Sequence, residues 1–241
     1  MAPPYRKAPT DMLHRAFLPL FLLWISGVFF MCKNASTPPS SVGESSTTEA
    51  SAQQRKVILF YGNSLTAAYG LAPEEGFVAH VQQKIDSLGL PYICLNAGNS
   101  GETTAGGLSR IDWVLSQQPI DIFVLELGGN DALRGLSLDA SRANLQAIIE
   151  RVRAKYPACR IVIAGMLAPP NLGPTYTQAF AQMYRDLASS NHAVLIPFLL
   201  EGVGGEPHLN LPDGIHPNAE GHRIVAENVW QVLYPLLQEH L

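Results

Sequence analysis

The sequence predicts an α/β fold, a parallel sheet with helices on both faces, and three observations predict it. Short apolar runs rich in β-branched and aromatic residues recur between residues 55 and 241. Segments with apolar residues at helical spacing alternate with them. The stretches that follow the first three runs are polar and rich in glycine, as the ligand-facing ends of buried parallel strands are.

The elements follow in order. Val57–Tyr61 reads as the first strand and breaks off at Gly62. Gly76–Leu88, with Phe77, Val81, Ile85 and Leu88 in helical register, is a helix that ends at Gly89. Tyr92–Leu95 is a second strand, and Leu108, Ile111, Trp113, Val114 and Leu115 mark a second helix. Ile120–Leu127 is a third strand, followed by Gly128-Gly129-Asn130-Asp131. The helix Leu138–Tyr156 faces inward with Leu145, Ile148, Ile149 and Val152, and Pro157 stops it. Arg160–Ala164 and Ala193–Phe198 are the fourth and fifth strands, with a helix Thr175–Ser190 between them and a last helix Asn218–Leu237.

The chain has 241 residues, 47% of them hydrophobic and 15% charged, with a net charge of −4. This balance suits a sizeable globular core and excludes a nucleic-acid-binding surface as the main business of the chain. Residues 1–33 stand apart. Arg6, Lys7 and Arg15 precede the uncharged, apolar segment Ala16–Met31, and Lys33 closes it. A positive flank before a short apolar core is the layout of an export signal, and about 16 residues are few for a bilayer span. Small residues are missing before Cys32, so a cleaved signal peptide, a retained N-terminal membrane anchor and lipidation of Cys32 all stay open. Each puts the rest of the chain outside the cytoplasm, periplasmic or secreted. Residues 34–54 are rich in Ser, Thr and Pro and read as a flexible tether, leaving 55–241 as one domain.

In Gly62-Asn63-Ser64-Leu65 a serine stands two residues past a buried strand. Alone, this pattern favours a turn or helix-cap serine. A nucleophilic serine needs a base, and the chain has seven histidines. His14 lies in the export segment, His80 and His222 in predicted helices as solvated or packed residues, His192 at a helix–strand junction and His240 in the tail. His208, in a Gly- and Pro-rich loop, stays a candidate. His216 differs, because in Leu211-Pro212-Asp213-Gly214-Ile215-His216-Pro217-Asn218 a carboxylate stands three residues before it and Gly214 permits a tight turn. Asp213 there either orients the imidazole or only caps backbone amides. Backbone N–H groups of Ser64 and Gly101 with the Asn130 side chain would stabilise an oxyanion, although Gly101 and Asn130 also read as turn formers.

Four stretches in this order resemble the blocks of the SGNH (GDSL-type) hydrolase superfamily. They are Gly62-Asn63-Ser64-Leu65, Gly101 in Asn99-Ser100-Gly101-Glu102-Thr103, Gly128-Gly129-Asn130-Asp131, and Asp213-Gly214-Ile215-His216-Pro217-Asn218. Glu126–Gly135 and Ala68-Tyr69-Gly70-Leu71 are most similar to the bacterial acyl-CoA thioesterase I, lysophospholipase and arylesterase group. The resemblance implies a flavodoxin-like three-layer α/β/α sandwich with strand order 2-1-3-4-5. It implies a Ser64, Asp213, His216 triad, an oxyanion hole of Ser64, Gly101 and Asn130, and neither metal nor organic cofactor. Asn63 departs from it, standing where the family usually has Asp. In that strand order Cys94 and Cys159 lie on or beside strands two and four, three steps of about 4.8 Å apart, and are expected as free thiols.

The expected activity is hydrolysis of small acyl esters, thioesters or lysophospholipids through an acyl-serine by a monomer, with the N-terminal segment as a candidate membrane tether. Leu65, Leu133, Leu136, Leu167 and Pro169 are candidate acyl-groove linings, each also readable as loop packing. A carbohydrate O-acetyl esterase is the second enzyme reading, and would need a short, open, aromatic-lined groove. A tethered binding module with a lapsed active site is the reading of another class, suggested by Asn63 and the tether.

Overall fold

The computed structural model describes residues 55–239. The export segment, Cys32 and the tether lie outside the described residues. No described helix is long and apolar enough to cross a membrane.

Five strands form one parallel sheet: β1 (Lys56–Gly62), β2 (Tyr92–Gly98), β3 (Ile122–Glu126), β4 (Arg160–Ala164) and β5 (Val194–Ile196). Their order is β2-β1-β3-β4-β5, the order implied by the resemblance. The helices are α1 (Phe77–Ser87), α2 (Thr104–Leu115), the short α3 (Gly129–Leu133), α4 (Leu138–Lys155), α5 (Pro174–Ser190) and α6 (Ala219–Gln238). Right-handed crossovers place them. The step from β1 to β2 runs one way along the sheet and every later step the other way, so α1 falls on one face and α2, α4 and α5 on the opposite one. The contacts agree: α1 packs on α6, α2 on α4, and α4 on α5.

β3 is buried along its whole length and β1 from Ile58 onward, as both-face coverage requires. Ile58, Phe60 and Tyr61 of β1 and Ile122–Leu125 of β3 are at most 2% exposed. Cys94 and Cys159 are free, and burial pushes both thiols up to about 12.

The layer between α1 and α6 holds a buried histidine. His222 accepts the Phe77 N–H at Nδ1 (3.1 Å), and its ring stacks on Phe77. Burial, and then the charges of His80 and His216, lower its pKa from 6.5 to about 4. The unfolded chain therefore takes up this proton before the folded one does. The sign follows: the contribution is fully present above about pH 6.5 and is lost progressively as pH falls towards 4. We expect the urea midpoint to drop between neutral pH and pH ~4.5, and to drop less in His222→Gln. Equal pH dependence in the two proteins would contradict this.

Candidate active site

Each candidate catalytic residue lies at the carboxyl ends of the strands or on the loop before α6. Ser64 follows β1, Gly101 follows β2, and Asn130 is in the first turn of α3, just past β3. The β1–β3 register sets Gly62 beside Glu126, so the turns after the two central strands start level.

The loop before α6 is built to present His216. Asn210 and Pro217 form an isolated antiparallel bridge, and Leu211 N–H donates to His216 O at 2.7 Å. Asn218 caps α6 by accepting the Gly221 N–H. Asp213 Oδ1 accepts the N–H groups of Ile215 (3.0 Å) and His216 (3.1 Å), while Oδ2 lies 2.7 Å from His216 Nδ1. Capping backbone amides and orienting the imidazole are therefore both done by the same carboxylate. The Ile215 N–H, followed by His216, holds its pKa down to about 2. His216 Nε2 lies 2.9 Å from Ser64 Oγ. With an ionised acceptor at Nδ1, that nitrogen carries the hydrogen and Nε2 is free to accept from the serine hydroxyl. Tyr69 covers the imidazole, ring to ring at 4.6 Å.

Asn130 Nδ2 gives one hydrogen to the Glu102 carbonyl (2.9 Å), tying α3 to the loop that carries Gly101. Its second amide hydrogen has no protein acceptor among the described residues. The backbone N–H groups of Ser64 and Gly101 are likewise without one there. Gly101 sits at φ +79°, a conformation that suits glycine. Its carbonyl accepts from Arg134 (2.9 Å), and the neighbouring Glu102 is paired with Arg110, whose guanidinium lies over Tyr61. The loop is thus held from three sides.

Ser64, Asn130 and His216 open onto a cavity of about 620 Å³. Of the sequence candidates, Leu65, Leu133, Leu167 and Pro169 line it. Leu136 does not: it stands in the loop after α3, where its N–H is tied back to Asp131 O. His208 is also away from the serine, facing Glu206 at 3.9 Å. The sequence reading missed Met166 and Ala168 after β4, Phe198 and Leu200 after β5, and Gly204 and Gly205 beyond them, all on the cavity wall. No motif marks these residues. Their only signal is position past the ends of strands four and five.

The family model for GDSL-like lipase/acylhydrolases matches residues 60–224. The chain belongs to the GDSL-like lipase/acylhydrolase family. Its acylhydrolase domain is 39% identical over 191 residues to the esterase TesA of Pseudomonas aeruginosa, covering 79% of this chain and 92% of that protein. It is 32% identical over 180 residues to the thioesterase 1/protease 1/lysophospholipase L1 of Escherichia coli, covering 75% and 84%. A crystal structure of TesA superposes with a TM-score of 0.72 at 39% identity, over 75% of this acylhydrolase and 99% of that chain.

Proposed function

We propose that residues 55–241 form an esterase or thioesterase domain that acts on acyl chains of medium length through a covalent acyl-serine, with Ser64 as nucleophile, His216 as base and Asp213 as its orienting carboxylate. The observation that carries this reading is the bonded series Ser64 Oγ, His216 Nε2, His216 Nδ1, Asp213 Oδ2, at 2.9 and 2.7 Å, opening on an apolar-walled cavity.

The chemistry follows from the partners. His216 takes the hydroxyl proton as Ser64 Oγ attacks the acyl carbon, and Asp213 stabilises the imidazolium. The N–H groups of Ser64 and Gly101 and the free amide hydrogen of Asn130 serve the oxyanion. His216 returns its proton to the departing alcohol or thiol, and then activates water to release the acid. The relatives named esterase and thioesterase/lysophospholipase support this substrate class. A lysophospholipid fits the same description, with its acyl chain in the cavity. Among the cavity residues Phe198 is the one aromatic besides the His216 imidazole, which argues against a carbohydrate O-acetyl esterase. The apolar segment 16–31 supports export of the domain to the periplasm or beyond, with that segment as signal or tether.

A fluorophosphonate probe tests the reading directly, since it reacts only with an activated serine. Labelling at Ser64 is the expected result, and an unlabelled Ser64 in active protein would refute it. Leu167, 51% exposed and on the cavity wall, bears on chain length. Leu167→Asp should raise KM for medium-chain esters about tenfold and leave acetyl esters unchanged, because only the longer chain loses apolar contact. Parallel changes for both substrates would remove Leu167 from the acyl path.

A further inference from the structure

β3 ends in a carboxylate that the acyl-transfer steps do not use. Glu126 is 1% exposed, and among the described residues no basic side chain meets it. What meets it instead is the turn that carries Ser64. Glu126 Oε2 accepts the Asn63 N–H (3.0 Å) and the Thr66 hydroxyl (2.8 Å), and Oε1 accepts Asn63 Nδ2 (2.7 Å). Asn63 Oδ1 in turn accepts the Leu65 N–H at 3.0 Å. Residues 63 and 66, on either side of Ser64, are thus fastened to a single side chain from the neighbouring strand, and residue 65 is tied in through Asn63. The room for that side chain comes from Gly62, where a Cβ would collide with Thr66 Oγ1 and Glu126 Oε2.

We propose that Glu126 is a positioning residue for the nucleophile, and that Asn63 is its matched partner, an amide that donates where a carboxylate at position 63 would have to share a proton with Glu126. The inference rests on the reading of Ser64 as nucleophile. Its logic is the polarity of the bonds. The Asn63 N–H and Nδ2, the Thr66 hydroxyl and the Thr66 N–H all face Glu126 as donors, and the carboxylate meets them by accepting. Burial raises its pKa to about 7, against the pull of the bonds from Asn63 and Thr66. A buried group in that position is held by its partners' geometry, and the geometry runs both ways: the carboxylate fixes the turn.

Glu126→Gln breaks the pattern with almost no change of shape. Its amide nitrogen would face a donor at either oxygen position. Turning Asn63 over to meet it moves the mismatch to the Leu65 N–H. Asn63→Asp combined with Glu126→Gln restores every bond with the polarity of one of them reversed. The amide introduced at position 126 then donates to the carboxylate introduced at position 63, which still accepts from the Leu65 N–H. Asn63→Asp alone needs one proton between two carboxyl groups, since like charges this close do not both ionise.

The test measures kcat and KM on a chromogenic short-chain ester, the rate of fluorophosphonate labelling, and thermal unfolding. Glu126→Gln should lose about 10²-fold in kcat and in labelling rate with KM nearly unchanged, the signature of a displaced nucleophile. The double variant should return to within about tenfold of the parent, and Asn63→Asp alone should stay in that range. Folded Glu126→Gln with the parent's kcat, or a double variant no better than Glu126→Gln, overturns the proposal. If Glu126→Gln does not fold, Asn63→Ala takes its place, because it keeps both bonds at Oε2. It should lose about tenfold in kcat at constant KM, and an unchanged kcat overturns the proposal equally. Parent protein not labelled at Ser64 means that the nucleophile reading itself has failed. Labelling there at equal rates in parent and Glu126→Gln means that only this inference has failed.

Discussion

Ser64→Ala is expected to lower kcat on acyl esters by about 10⁵-fold or more, leaving only what binding and oxyanion donors supply without a nucleophile. The size follows from the way the three residues act as a unit. In the proposed mechanism His216 Nε2 takes its proton from Ser64 Oγ, 2.9 Å away, and the hydrogen bond between Asp213 and His216 Nδ1 serves catalysis only through that contact. Removing the hydroxyl leaves a correctly held base with nothing to deprotonate. The fold should survive, since Ser64 is 9% exposed and its hydroxyl is not needed by the Asn63–Glu126–Thr66 bonds beneath it. Assays with a chromogenic ester at matched thermal stability decide the matter. A variant within tenfold of the parent would place the nucleophile elsewhere.

Asn130→Ala comes next, with an expected loss of about 10²- to 10³-fold in kcat, the usual effect of deleting one oxyanion donor. Here one amide hydrogen is committed to Glu102 O and the other has no acceptor among the described residues, so the alanine also loosens the link between α3 and the Gly101 loop. Asn130→Asp keeps the shape and removes both donors, and should lose as much. KM for a short ester should move by no more than about threefold in either variant if the missing bond belongs to the transition state. A loss confined to KM would instead make Asn130 a ground-state binding residue.

Most of the fold is legible in the sequence because its signals are local. Pro157 stops α4 after Lys155, one residue earlier than the apolar pattern suggests. The differences have physical causes. β2 runs on to Gly98, past the polar Asn96, because Asn96, Ala97 and Gly98 pair in register with Phe60, Tyr61 and Gly62. α2 begins at Thr104, where the Thr103 side chain accepts the Gly106 N–H, and no apolar periodicity announces that turn. α3 is hidden because Gly128-Gly129-Asn130-Asp131 has the composition of a turn. Gly128 does turn, at φ 115°, and a five-residue helix starts immediately after it.

The site is legible to the extent that its residues sit in short blocks. Asp213 and His216 are three residues apart, whereas the meeting of their loop with Ser64 depends on the chain after β5 returning across the strand ends, since β5 lies at the sheet edge three strands from β1. Glu126 stands in the sequence within the third strand and as the first residue of the stretch similar to the thioesterase I group, with no role of its own, although a carboxylate closing a strand that is otherwise Ile, Phe, Val and Leu is itself a signal. The cavity wall is least legible, because Met166, Phe198 and Leu200 are ordinary apolar residues whose meeting depends on tertiary structure alone.

The cavity also divides its construction between strands. On the proposed mechanism the reacting groups come from the turns after β1, β2 and β3 and the loop before α6, while much of the wall comes from the turns after β4 and β5. On that reading selectivity and turnover rest on largely separate stretches of chain. Libraries confined to residues 166–170 and 198–205 are then expected to retune chain-length preference while the bond-making parts stay fixed, an engineering handle built into the order of the strands.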